Sequence, residues 1–262
     1  MNVLVSVIIP TYNRKNDLEK AIASVLSQTF SDFELLVCDD GSNDGSEELV
    51  AKVSQNDSRV KWISSLGIHA GRPAIPRNRG IREAKGVWLA FLDSDDIWLS
   101  HKLESQLQTA KQFKAIALCS NAFLDQSEKL FFTCSSTSLK LSDLLHENRI
   151  ICSSVLIQKS CLNFGFPESK NLKAYEDYAC WLKVSLDYHF YFDATPLLRY
   201  TTSSVSSIRR DLWFQNFYKK LLSHLEFSIF AYESKKQIYP FLIMKETLIN
   251  IKRAMGDFLR SL

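Results

Sequence analysis

The chain has 262 residues, 46% of them hydrophobic and 23% charged, with only 8 Gly and 6 Pro; this is an ordinary globular composition and excludes collagen-like, disordered and mini-protein readings. The length suits one large domain or one domain with an appendage. A net charge of +3 is too small to make nucleic acid the expected partner. The charge is also uneven: residues 208–262 carry ten Lys and Arg against five Asp and Glu, a local +5, so the first 207 sum to −2.

The opening MNVLVSVIIPTYNR has an apolar run without a basic leader or a small-residue cleavage site, and Pro10 interrupts it, so it reads as a strand over 3–9 rather than a signal peptide. Asn16 with Glu19 three residues on forms a capping-box pattern for a helix to about 28. A second strand is predicted over 33–38, a Gly41-to-Gly45 turn after it, and a helix over 46–53 whose Glu47 and Glu48 suit the first turn. A short strand over 60–64, a helix over 78–85 and an apolar strand over 87–92 follow, the last ending in Asp93-Ser94-Asp95-Asp96. The alternation β-α-β-α-β-α-β predicts a mostly parallel sheet covered on both faces, with ligands at the carboxyl ends of its strands. Beyond Lys102 the pattern mixes: a helix to about 114, strands near 116–120 and 155–158, and a helix over 175–186. From Asp211 the chain turns helical again, with Phe214, Phe217, Leu221, Leu225 and Ile229 at helical spacing.

Six cysteines, at 38, 119, 134, 152, 161 and 180, form no C-x-x-C pair and read as reduced core residues. The longest stretch free of charge is the first 13 positions, short of the ~20 apolar residues of a spanning helix. The expectation is a cytoplasmic protein, or one peripheral at the inner face of the cell membrane.

Dinucleotide and P-loop glycine motifs are both absent; the chain offers carboxylates instead. Asp39 and Asp40 end the second strand and Asp93, Asp95 and Asp96 the fourth, on the rim where a parallel sheet binds its ligand. Three acids within four residues repel unless balanced, and oxygen-only clusters suit Mg²⁺ or Mn²⁺ together with substrate phosphates. Asp40 and Asp96 read equally well as turn and cap residues.

Taken together, SVIIPTYNR at 6–14, CDDGSNDGS at 38–46, PRNRGIREAKG at 76–86, FLDSDDIW at 91–98, GFPE at 165–168 and YEDYACW at 175–181 closely resemble the inverting glycosyltransferases of family 2. The resemblance covers roughly residues 5–207. It implies the GT-A fold, a Rossmann-like, mostly parallel α/β sheet, with residues 1–100 as the nucleotide-binding half, 101–207 as the acceptor-binding half and 208–262 as a helical C-terminal extension. It further implies a UDP-sugar donor by preference, a glycan or lipid-linked acceptor, and a role in bacterial surface polysaccharide or lipopolysaccharide assembly. Carried over by position, Asp39 holds the base, Pro10, Thr11 and Tyr12 line its pocket, and Arg77 approaches the diphosphate. Asp93 faces the ribose, Asp95 is the metal ligand, and the Glu176–Asp177 pair supplies the base, usually the Asp.

Many relatives carry a His after the final strand, where this chain has Thr201 or Thr202, so no histidine ligand is evident. His189, in YHFYF, reads as a strand residue. His69 and Trp98 are candidate donor or acceptor contacts, although a loop His is commonly solvated and an aromatic at position 98, like Trp181, commonly packs in the core. The tail holds 10 of the 31 aromatic residues beside its +5 charge; it reads either as an amphipathic helical pair packed on the catalytic domain or a second subunit, or as a surface for anionic lipid. Two other functions fit less well: a sugar nucleotidyltransferase, which would be expected to show a Gly-rich basic loop after the first strand, and a catalytically idle nucleotide-sugar-binding or scaffold subunit.

Overall fold

The computed structural model describes residues 4–66, 69–133 and 137–201, and beyond them 220, 223–225 and 227–230. Strands β1 (Val5–Thr11), β2 (Phe33–Asp39), β3 (Val60–Ile63) and β4 (Trp88–Phe91) alternate with helices α1 (Lys15–Leu26), α2 (Ser46–Asn56) and α3 (Ala74–Glu83). All their pairings are parallel, in the order β3-β2-β1-β4. Every residue of β1, β2 and β4 is buried, because helices cover both faces of this half-sheet and a strand between two cores has no face for water. Val5, Val7 and Ile9 enter one core and Ile8 the other, the period-two alternation of a pleated strand.

The second half is mixed rather than parallel. Strand β5 (Ile97–Trp98), helix α4 (Lys102–Phe113), strands β6 (Ala117–Leu124) and β7 (Ser138–Leu139), helix α5 (Leu141–His146), strand β8 (Leu156–Gln158), helix α6 (Glu176–Val184) and strand β9 (Phe190–Tyr200) complete the described fold. Strand β8 lies antiparallel between β4 and β6, and β6 pairs parallel with β9. Strand order therefore changes direction at β1 and β4, where a ligand crevice is expected.

Three sequence readings change. Helix α1 begins at Lys15 and makes no side-chain cap of its own, so Asn16 lies inside it and the capping box does not form. The β2–α2 turn does that work instead: Asp44 Oδ2 accepts Lys15 N–H at 2.8 Å and Ser42 Oγ accepts Asn13 N–H at 3.0 Å. Helix α3 starts four residues earlier than expected, at Ala74, and packs close on the sheet through Gly80, where a Cβ would meet Ile8 Cγ2 at 2.7 Å and Cys38 Sγ at 2.8 Å. His189 precedes β9 and is exposed, not a buried strand residue. Cys38, Cys119, Cys152, Cys161 and Cys180 are buried free thiols; Cys134 lies outside the described residues.

The described residues of the extension are helical. Ser223, His224 and Phe227 are buried, Phe230 meets Phe164 and the Lys183 ammonium, and the His224 ring lies 2.9 Å from the Tyr178 hydroxyl. Burial holds His224 uncharged, its pKa pushed down to about 4. Leu225 and Ile229, two members of the apolar stripe, instead point outward and are 56% and 52% exposed. Phe214, Phe217 and Leu221 lie outside the described residues. No helix among the described residues is long and apolar enough to cross a membrane.

Lys102 at the start of α4 is fully buried, its ammonium 4.1 Å over the Trp98 ring and 2.7 Å from Gln106 Oε1. Burial pushes its pKa down from 10.5 to about 7. Between those values the unfolded chain binds more protons, so this group adds stability as pH rises, with a slope of up to ~1.4 kcal/mol per pH unit. Lys102→Met is expected to flatten that rise, which urea unfolding at pH 7, 8.5 and 10 would measure.

Candidate active site at the carboxyl edge of the sheet

The carboxyl ends of β1, β2 and β4 bring three of the acidic and polar motifs together. Asp39 ends β2 as the register partner of Thr11 and is buried. Its Oδ2 accepts Gly41 N–H at 2.8 Å and the Ser65 hydroxyl at 3.2 Å, and its Oδ1 accepts Ser42 N–H at 2.9 Å. Asp39 therefore holds the turn, and Oδ1 retains acceptor capacity. Asp40 clasps the following loop by accepting Ala70 N–H at 3.0 Å and Gly71 N–H at 2.9 Å. That loop lays the His69 ring on Tyr12, centroids 3.8 Å apart and 17° from parallel.

Arg77 lies at the centre of the constellation. Helix α3 delivers it, 4% exposed, between two carboxylates: Nη2 donates to Asp93 Oδ1 at 2.6 Å and Nη1 to Glu176 Oε1 at 2.8 Å. Burial alone would lower its pKa, but the charges of Asp93 and Glu176 beside it raise it well above the ordinary value. Arg77 Nε and Glu176 Oε2 are buried without a hydrogen-bond partner in the described structure. The neighbouring Asn78 clamps the GFPE segment, donating at 2.8 Å both to Phe166 O and to Glu168 Oε1 and accepting Phe166 N–H at 2.7 Å. Both segments stood out in the sequence, yet nothing in a linear string couples residue 78 to 166.

After β4 the three acids separate by role. Asp93 pairs with Arg77, and Asp95 Oδ2 with Arg14 Nη1 at 2.5 Å. Asp96 caps no helix: its Oδ2 meets the Ser153 hydroxyl at 2.5 Å and its Oδ1 accepts Thr201 N–H at 2.8 Å. Burial first, then the charges of Asp95 and Asp93, push the Asp96 carboxyl well above the usual range. Thr201 stands beside the motif, its hydroxyl donating to Asp95 O at 2.6 Å. Thr201, one of the two positions at which the family resemblance would put a His, is thus next to the acidic motif in space; Thr202 lies outside the described residues.

Glu176 and Asp177 open α6. Asp177 Oδ1 accepts the N–H of Tyr178 at 2.7 Å, while Glu176 is buried against Arg77. Two cavities meet here. One, of about 300 Å³, is lined by Pro10, Thr11, Tyr12, Asp40 and His69; the other, of about 430 Å³, by Tyr175, Glu176, Asp177, Phe131, Phe132 and Tyr200. Their common wall is Arg14, Pro73, Arg77, Asp93, Asp95 and Lys173. Asp177 faces only the larger one.

Trp98 is not at this site. It is 2% exposed, its Nε1 donates to Ser153 O at 2.8 Å and Lys102 covers its ring, so no face remains for a sugar. Trp181 is equally a core residue, packed on Phe91, Phe166 and Phe190. Among the described residues no three His, Cys, Asp or Glu converge as a metal cage. Asp93 and Asp95 nevertheless present carboxylate oxygens on the shared wall, a donor set that fits a Mg²⁺ or Mn²⁺ completed by substrate phosphates.

A family model described as glycosyl transferase family 2 matches residues 6–158, from the second residue of β1 to the end of β8, with the acidic motif between them. The chain belongs to glycosyltransferase family 2. A family relative from Escherichia coli, the UDP-Glc:alpha-D-GlcNAc-diphosphoundecaprenol beta-1,3-glucosyltransferase WfgD, is 34% identical over 186 residues, 70% of each chain. Among solved structures, Staphylococcus aureus TarS 1–349 in complex with UDP superposes with a TM-score of 0.67 at 19% identity, covering 99% of this chain and 92% of that one. The mannosyltransferase PcManGT of Pyrobaculum calidifontis, with GDP-Man and Mn²⁺, gives 0.64 at 16% identity over 98% and 75%. These likenesses identify the fold as GT-A.

Proposed function

We propose that this family 2 glycosyltransferase moves a sugar, with inversion, from a UDP-sugar to a hydroxyl of a lipid-linked glycan acceptor in bacterial surface glycan synthesis. The observation that carries the reading is the pair of cavities joined at Asp93 and Asp95, with Asp177 on one side only. The smaller takes the nucleotide. Thr11 Oγ1 there is buried without a hydrogen-bond partner in the described structure, Asp39 lies beside it in register, and Tyr12 offers a ring to the base. The larger takes the acceptor, whose half-buried aromatic wall at Phe131, Phe132 and Tyr200 suits the apolar face of a sugar.

In this reading Asp177 takes the proton from the acceptor hydroxyl as the oxygen attacks the anomeric carbon from the side opposite the diphosphate. A single displacement inverts the centre. Glu176 is unsuited to that task because Arg77 holds its carboxylate. Arg77, fixed between Asp93 and Glu176, adds positive charge where the leaving diphosphate gains negative charge. A bound Mg²⁺ or Mn²⁺ at Asp95 would supply Lewis-acid stabilisation of that same charge. The E. coli relative, whose name specifies UDP-Glc and a diphosphoundecaprenol-linked sugar, supports the substrate classes. Leu225 and Ile229, exposed within the basic tail, form the surface proposed to meet the membrane that carries such an acceptor. Residues 1–207 are the proposed catalytic unit and 208–262 its extension.

The test is a panel of nucleotide-sugars with Mn²⁺, scored by thermal stabilisation and slow donor hydrolysis. UDP-sugars are expected to stand out. UDP is also expected to bind more tightly than CDP, because uracil N3 carries a hydrogen for Asp39 while cytosine N3 is an acceptor. Asp39→Asn is expected to erase most of that preference, and unchanged discrimination would remove Asp39 from the base pocket.

A further inference from the structure

The acidic motif carries two arginines that are held very differently. Arg77 is immobilised: it is 4% exposed and bonded to two carboxylates, Asp93 and Glu176. Arg14 has one partner among the described residues, Asp95, and its side chain is 33% exposed. It stands at the N-cap of α1 with its guanidinium on the wall common to both cavities. The pair is partly buried, and a guanidinium held by one carboxylate is easier to displace than one held by two. Asp95 is also the carboxylate left for a cation, since Asp93 is committed to Arg77.

We infer that Arg14 is an exchangeable counter-ion. It neutralises Asp95 while the donor site is empty and transfers to the donor's diphosphate when a divalent cation takes Asp95. The inference rests on the donor-site reading above and adds a binding order to it. Without a diphosphate to receive the guanidinium, a divalent ion at Asp95 would face a like charge already paired with its ligand. With the diphosphate present, the anion receives both the cation and Arg14, and the two positive charges stand apart on different oxygens. Metal and nucleotide then bind as a unit, and Arg14 is the residue that couples them. The guanidinium suits the exchange because its planar fork matches carboxylate and phosphate equally.

The experiment measures free Mn²⁺ by electron paramagnetic resonance during titration of the whole protein, with and without UDP, alongside UDP affinity by calorimetry in Mn²⁺. Wild-type protein is expected to bind Mn²⁺ weakly alone and much more tightly with UDP. Arg14→Gln is expected to bind Mn²⁺ about fivefold more tightly than wild type in the absence of nucleotide, and UDP about tenfold more weakly. Arg14→Lys keeps the charge, so its nucleotide-free Mn²⁺ affinity is expected to stay at the wild-type level; melting curves check that both variants are folded. Nucleotide-free Mn²⁺ binding by Arg14→Gln that is no tighter than wild type, or unchanged UDP affinity, overturns the exchange while wild-type UDP binding leaves the donor reading standing. A wild-type protein that binds no UDP in Mn²⁺ overturns the donor reading and the exchange with it.

Discussion

Asp177→Asn is expected to lower turnover by about 10²- to 10⁴-fold, the usual worth of a positioned general base. Asn keeps the size and an amide oxygen for the Tyr178 N–H that Asp177 Oδ1 now accepts, so melting temperature should hold. UDP affinity should hold as well, because Asp177 lines only the larger cavity. Glu176→Gln makes the informative comparison. Its carboxylate is buried on Arg77, so this variant should lose stability along with activity. Turnover of both variants with an identified acceptor, beside their melting curves, decides the assignment: near-normal turnover in Asp177→Asn would transfer the base elsewhere, and a wild-type protein without turnover would leave the idle-subunit reading.

Arg77→Met should produce the largest loss of stability among the site variants. Removing the guanidinium leaves Glu176 buried without its cation and Asp93 without its partner, and breaking a buried pair from one side costs about 3–5 kcal/mol. For a chain of this size that corresponds to a fall in melting temperature of about 10 °C. Arg77→Lys is not a rescue, since one ammonium cannot span two carboxylates with a fork's geometry. Adding Glu176→Gln to Arg77→Met should recover part of the loss, because the orphaned charge is gone. Chemical denaturation of the two singles and the double gives the coupling directly; additive losses would mean that the Arg77–Glu176 contact contributes nothing specific.

Position in the chain gave Arg77 a place at the diphosphate but not the carboxylates that hold it. Its partners lie 16 and 99 residues away. Local patterns found the strand–helix alternation through β4 because a doubly covered parallel strand must be continuously apolar and an amphipathic helix must repeat near 3.6 residues. Patterns were weaker where a short element owes its existence to a neighbour: β5 and β7 have two residues each and, among the described residues, pair only with β9.

The same limit applies to side-chain roles. The Asn16–Glu19 pattern is a sound local cap, yet Asp44 reaches Lys15 N–H from another loop and α1 starts one residue before Asn16. Apolar spacing at 225 and 229 marks a helix but not its buried side, which Phe227 and His224 occupy; Tyr178 of α6 meets His224, and Lys183 of α6 lies over the Phe230 ring.

By itself the sequence determined the family, the parallel first half of the sheet and the acidic residues at its rim, since these depend on residue type, period and order along the chain. Tertiary structure alone decided which partners these side chains have. It buried Glu176 on Arg77, tied Asp96 to Ser153 and Thr201, placed Trp98 in the core and brought Arg14 to Asp95 across 81 positions. A carboxylate's function depends on which charges and donors lie within a few ångströms, and those distances exist only once the chain has folded.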